Sequence, residues 1–209
     1  MLDFSNSKIL IVGDVMLDKY YFGKVDRISP EAPVPIVNIQ KEESRLGGAS
    51  NVANNIVSLG GHSLLCGVIG HDLFGKEIER ISRHKNIDTF LLKTSSPTIT
   101  KARIIGGKQQ IVRVDYEDKS ELNADNKKLF RDTISRILPE YDILVISDYG
   151  KGLISEDLCR YLIKLAHKYD KKVIIDPKGK NWEKYSGADI VTPNVKELSD
   201  IVGYTCLLY

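Results

Sequence analysis

The amino-acid sequence predicts an α/β fold built on a mostly parallel sheet, and three observations carry that prediction. Short apolar runs rich in Ile and Val take turns with longer segments whose apolar residues recur at helical spacing. Those runs are apolar at consecutive positions, as strands covered on both faces require. Four of them pass into polar stretches, GDVMLD, SDYGKG, DPKG and TPNVKE, and ligands of such sheets bind at the carboxyl ends of strands.

In chain order the expected strands are KILIVGDV (8–15), HSLLCGVIG (62–70), YDILVISDY (141–149), KKVIIDP (171–177) and ADIVTPN (188–194). The expected helices are NVANNIVSLG (51–60), GKEIERISRHKN (75–86), NADNKKLFRDTISRILPE (123–140) and SEDLCRYLIKLAHKYDK (155–171). In the last of these, Leu158, Leu162, Leu165 and Ala166 form an apolar stripe. Two segments break the alternation. DKYYFGKVDRISPEAPVPIVNIQ (18–40) and TITKARIIGGKQQIVRVDYE (98–117) read as extended pieces, the second a hairpin turning at Gly106-Gly107. They predict a small second sheet lying over the strand ends as a lid, in segments at about 16–45 and 97–117 of a single domain spanning 1–209.

Composition narrows the partners. Thirty basic and 28 acidic residues are dispersed along the chain, for a formal charge of +2, which leaves no footprint for nucleic acid or a membrane surface. A small anionic ligand stays open. Cys66, Cys159 and Cys206 are far apart and in no metal-ligand spacing, so they read as reduced thiols, two of them in the core. No leader pattern and no apolar run of the roughly 18 residues that span a bilayer is present, and a cytoplasmic location is expected.

The stretch RLGGASNVANNIVSLGG (45–61) puts two glycines where a helix should start. Glycine there serves either a packing turn or a helix N-terminus that a ligand can approach closely. The wider set GDVMLDKYYFGKVDRISPEAPVPIV, LGGASNVANNIVSLG, TITKARIIGGKQQIVRVD, ISDYGKG, DPKG and TPNVKEL, in this order, resembles the ribokinase-type carbohydrate kinases, within them the branch acting on heptose 7-phosphates.

That resemblance implies a ribokinase-like three-layer sandwich with a small β lid. It implies ATP and Mg2+ as cofactors, and transfer of the γ-phosphate to the anomeric O1 of D-glycero-D-manno-heptose 7-phosphate. The 1,7-bisphosphate so formed would feed ADP-heptose and lipopolysaccharide core synthesis. It further implies a homodimer paired through the lids. Residue by residue, it places Gly47, Gly48 and Asn51 against the sugar, and Asp18, with Asp14 as a second candidate, on sugar hydroxyls. Lys101, Arg103 and Arg113, with Gln110 as a weaker companion, would converge on the sugar's phosphate. Asp148 and Lys151 would line the cleft between sugar and nucleotide, and Lys178 would lie near the transferring phosphoryl group. Asn194 and Glu197 would organise Mg2+ and phosphate oxygens, Glu197 through water.

The residues themselves admit plainer readings. Asn194 followed by Glu197 is also the pattern of a helix capping box, and basic residues on an exposed ribbon also protect a sheet edge. A different sugar or nucleoside substrate, or a non-catalytic sugar-phosphate-binding or dimerisation module, fits the same motifs. A dinucleotide-binding oxidoreductase fits poorly, because GDVMLD lacks the G-x-G-x-x-G spacing. The family's Gly-Ala-Gly-Asp tetrapeptide, source of its catalytic base and anion hole, is absent from these 209 residues. The expectation is a kinase domain lacking its C-terminal part, without turnover of its own.

Overall fold

The computed structural model describes residues 3–203; Cys206 and the closing CLLY lie outside them. Two sheets make up the molecule. The larger contains β1 (Lys8–Gly13), β4 (His62–Gly70), β5 (Asp88–Thr94), β8 (Ile143–Ser147), β9 (Lys172–Asp176) and β10 (Ile190–Val191), in the order β10-β9-β8-β1-β4-β5. Every pairing in it is parallel. The smaller contains β2 (Val15–Ile28), β3 (Pro35–Gly48), β6 (Thr100–Gly106) and β7 (Gln109–Tyr116), in the order β3-β2-β6-β7.

Alternation along β1 divides the core into two layers. Leu10 and Val12 enter one cluster with Phe130, Ile134, Leu158, Cys159 and Leu162, beneath α3 (Ala124–Ile137) and α4 (Glu156–Lys168). Ile11 enters the other with Ala49, Ala53, Leu65, Ile78 and Ile81, beneath α1 (Ala49–Ser58) and α2 (Leu73–His84). This is the three-layer sandwich expected, with the lid rising from the carboxyl end of the interior strand β1. Leu158, Leu162 and Ala166 are buried, and Leu165 packs against the same cluster. Cys66 and Cys159 are buried free thiols, and burial pushes the Cys159 pKa up to about 12.

Three local expectations are corrected. The strand Asp88–Thr94 was not expected, and it forms the sheet edge beside β4. The lid hairpin turns at Gly107-Lys108, because Gly106 still pairs with Gln109. Gly107 has φ of +62° and Lys108 does not share it, which suits a type II′ turn with glycine first. Finally, residues 138–140 leave the α3 helix as a 3-10 turn in which Pro139 is tolerated.

The lid is joined tightly to the body. Only Asp14 separates β1 from β2, and β3 runs directly into α1. At the lid's base, Asp72 caps α2 through Gly75 N and also accepts from Thr98 N at 2.7 Å. Thr98 Oγ1 in turn accepts from Gly70 N.

Candidate active site

The glycine pair sits where the lid meets the first helix. Gly48 is the N-cap of α1, no side chain caps that helix, and its φ of 55° lies in the left-handed region. A Cβ on Gly48 would come within 2.4 Å of the Asp14 carbonyl oxygen, which already accepts from Ala49 N. A Cβ on Gly47 would come within 2.5 Å of Asp18 Oδ2. Of the two purposes left open by the sequence, the pair serves the first. It makes the turn from strand to helix, and it lets a carboxylate lie against bare backbone at a positive helix end.

In front of these glycines lies a cleft of about 600 Å³, lined among others by Asp18, Gly47, Gly48, Asn51, Lys101 and Arg103. Six of the residues implied by the resemblance are thus gathered at one place. Strand register explains how. Arg45, Asp18, Lys101 and Asp115 stand in one row across the four lid strands, and Glu43, Tyr20, Arg103 and Arg113 stand in the row two residues on. Asp18 Oδ1 accepts from Arg103 Nη1 at 2.6 Å. Burial draws the Arg103 pKa down, but that carboxylate holds it above its ordinary value. For Lys101, burial and then the neighbouring Lys151 ammonium push the pKa below the ordinary lysine range.

Other assigned residues fall elsewhere. Arg113 lies directly across from Arg103 but turns onto Asp115, with Nε to Oδ1 at 2.8 Å, and does not line the cleft. Gln110 faces Ile105 near the far end of the hairpin, also outside the cleft lining. Asp14 is buried; its Oδ2 accepts from Tyr149 N and Lys151 N, and its Oδ1 finds no partner among the described residues. Burial raises its pKa above the usual carboxylate range. Asp14 thus knits strand β1 to the loop after β8 and does not line the cleft.

Asp148 is also buried and belongs to a network, not to the cleft surface. Its Oδ2 accepts from Lys184 Nζ at 2.5 Å and from the Tyr185 hydroxyl at 2.7 Å, and its Oδ1 from Gly150 N. Lys151 pairs with Glu117 just beyond the lid hairpin. Tyr149, between them, lines the cleft and stands 5.8 Å under Lys101 Nζ.

Beyond the ends of β9 and β10, Lys178 Nζ donates to Glu197 Oε1 at 3.0 Å. α5 (Val195–Val202) begins with the full capping box: Asn194 Oδ1 accepts from Glu197 N, and Glu197 Oε2 accepts from Asn194 N. Burial pulls the Glu197 pKa up, but the Asn194 amide and the Lys178 ammonium hold it below the usual range. Lys178 also lines a separate groove of about 450 Å³ beside Gly150 and Lys184.

Sequence reasoning missed Arg45, Asn54, Lys85 and Tyr149, all of which line the cleft. Arg45 stands at the head of the stretch RLGG, and that adjacency to the glycines was the available signal. Lys85 follows the end of α2, where the sequence offers only an ordinary C-terminal cation.

Comparison with known proteins agrees with this geometry. The profile of the pfkB family carbohydrate kinases matches residues 6–205. A Helicobacter pylori protein named bifunctional protein HldE is 48% identical over 193 residues, 91% of this chain and 42% of that protein. A Bordetella bronchiseptica D-beta-D-heptose 7-phosphate kinase is 44% identical over 200 residues, 95% of this chain and 63% of that kinase. The chain therefore spans less than two thirds of the length of either. Among solved structures, the tetrameric inhibited form of phosphofructokinase-2 from Escherichia coli superposes with a TM-score of 0.74 at 21% identity, covering 94% of this chain and 64% of that one. A putative phosphofructokinase from Staphylococcus aureus gives 0.75 at 15% identity, covering 95% and 62%. With the profile covering nearly the whole of its length, the chain belongs to the pfkB family of carbohydrate kinases.

Proposed function

We propose that the protein phosphorylates D-glycero-D-manno-heptose 7-phosphate at O1, using ATP and Mg2+, in the cytoplasm. The single observation that carries this reading is the composition of the cleft. Asp18, Asn51 and the uncapped α1 terminus offer acceptors and donors to hydroxyls, while Arg45, Lys85, Lys101 and Arg103 put four cations in the same space. Asp18 pairs with Arg103 and Glu43 with Arg45, which still leaves most of their N–H donors and both lysines for a ligand; a sugar phosphate engages them through charge-assisted bonds, and a neutral sugar does not. The relative named D-beta-D-heptose 7-phosphate kinase, 44% identical to this chain, supports the same substrate.

Asp18 orients the sugar and, by holding Arg103, also sets the cation that meets its phosphate. For the nucleotide, Lys178 supplies a cation beside the Glu197 carboxylate at the mouth of the sheet. Both Glu197 oxygens already accept hydrogen bonds, from Lys178 and Asn194, so they fit a hydrated Mg2+ held through water. When bound, Mg-ATP supplies the phosphoryl group and neutralises its charge. Arg103→Ala is expected to weaken heptose 7-phosphate binding by about 1.5–3 kcal/mol, the range for hydrogen bonds to charged groups, and to leave ATP affinity unchanged. Calorimetric titration with each ligand checks this; equal losses would point to misfolding and no loss would remove Arg103 from the site.

The lid also supports a homodimer. Its outer face exposes Val112 and Val114 on β7, and Val25 and Ile39 are exposed on β2 and β3. Unpaired apolar strand faces of this kind are usually covered. Sedimentation at micromolar concentration is expected to give a dimer, and a folded monomer would refute the assignment.

A further inference from the structure

The inner face of the lid holds an arrangement that the motifs do not account for. Tyr20, on β2, offers its ring to two guanidiniums: Arg45 Cζ lies 4.8 Å and Arg103 Cζ 5.2 Å from the ring centroid. These arginines come from β3 and β6, the two strands that flank β2. Phe22 stacks beside Tyr20 with centroids 6.1 Å apart and planes within 12°. Each guanidinium is tethered by one carboxylate, Arg103 by Asp18 at 2.6 Å and Arg45 by Glu43 at 2.7 Å. Glu43 also bonds Lys41 at 2.6 Å, so its charge is shared between two cations.

A guanidinium carries five N–H donors, and these tethers use few of them. Among the described residues, the one further acceptor is the Lys101 carbonyl, 3.4 Å from Arg103 Nη1. Two like charges brought to one ring repel each other, and the quadrupole of the ring offsets part of that repulsion while fixing the planes of both forks. Both arginines line the cleft. Arg113, by contrast, is bound to its neighbour Asp115 and does not.

We propose that Arg45 and Arg103, held side by side on the Tyr20 ring, are the anion-recognition pair of the cleft, and that Tyr20 is the positioning residue that sets their spacing. The group recognised is a phosphate monoester at the end of the sugar remote from the reacting hydroxyl. That identification rests on the sugar-phosphate kinase reading above, whereas the arginine pair stands on its own geometry. Arg45 takes the place that the sequence assigned to Arg113.

The test is titration of the chain with inorganic phosphate, heptose 7-phosphate and unphosphorylated heptose, in Tyr20→Leu, Tyr20→Phe, Arg45→Gln and Arg113→Gln variants. Tyr20→Leu and Arg45→Gln are expected to weaken both phosphate-bearing ligands about tenfold or more and to leave unphosphorylated heptose unchanged, since charge-assisted bonds are the stronger class. Tyr20→Phe, which keeps the ring, and Arg113→Gln should stay near the unsubstituted chain. The proposal is overturned if the unsubstituted chain binds neither phosphate ligand, if Tyr20→Leu binds phosphate normally, or if it loses both sugars in equal proportion. A defect in Tyr20→Phe as deep as that in Tyr20→Leu also overturns it. Should Tyr20→Leu not fold, Arg45→Gln decides, because its side chain is 61% exposed and normal phosphate binding there refutes the pair. Phosphate binding that needs Tyr20 and Arg45, in a chain that ignores heptose, sustains the pair and removes the heptose reading instead.

Discussion

Asp148→Ala is expected to cost about 3–5 kcal/mol of folding stability, the range for removing one partner of a buried ion pair. The side chain of Asp148 is 1% exposed and that of Lys184 16%, so the ammonium left behind has little water to turn to. The Tyr185 hydroxyl loses its carboxylate partner in the same step, and Tyr185 is itself buried against α4. Asp148→Asn keeps an acceptor for Tyr185 but not the charge, and should fall between the two. Urea denaturation of the three proteins reads this order from the midpoints. An Asp148→Ala chain as stable as the original, but defective in sugar binding, would return the residue to the cleft role that its motif implies.

Gly48→Ala is expected to be nearly as damaging, at about 2–5 kcal/mol. Placing an L-residue in the left-handed region costs roughly 1–2 kcal/mol. The rest comes from overpacking, about 1–3 kcal/mol, because the new methyl would lie 2.4 Å from the Asp14 carbonyl oxygen and 2.7 Å from Met16 Cε. Backbone cannot yield there without releasing the Ala49 N–H that this carbonyl accepts. Gly47→Ala makes a useful contrast, since its contact at 2.5 Å is with the Asp18 carboxylate and not with backbone. A displaced Asp18 should weaken sugar binding more than it lowers the denaturation midpoint. If Gly48→Ala proves neutral in stability, the turn is not the constraint described.

The five strands read from consecutive Ile and Val runs all form, within a few residues of their expected ends. Burial on both faces left runs of consecutive Ile and Val there that are too short for a buried helix. The edge strand Asp88–Thr94 left little, because only three apolar residues, Phe90, Leu91 and Leu92, stand between polar neighbours, and among the described residues one side has no partner strand. In the candidate site, what could be read was whatever a motif carried in one short stretch. Asp18, the glycine pair, Asn51, Lys101 and Arg103 are of this kind, and they do meet at one cleft. What could not be read depended on register between distant strands. That Arg113 turns to Asp115, and that Arg45 falls opposite Asp18, follow from how β2, β3, β6 and β7 pair. Sequence order alone does not fix that pairing across a gap of some 85 residues, as between Asp18 and Arg103. Asp148 sits in a polar stretch at a strand end, as binding residues do, yet its partners Lys184 and Tyr185 arrive from a segment with no recognisable signal.

The single residue between β1 and β2, and the absence of any between β3 and α1, give the lid an unusual mechanical character. A flap on glycine-rich linkers swings about free dihedrals and can open with little resistance. Here two of the lid's attachments are continuous backbone, pinned by Asp14 N to Ser147 O and Ala49 N to Asp14 O. Displacement of the lid tip must be taken up as twist spread along fourteen-residue strands, in the manner of a torsion spring. Such an element returns to one resting angle when a ligand leaves. Its stiffness is set by the sheet, so substitutions far out on the ribbon are expected to alter how readily the cleft admits a ligand without touching any residue that lines it.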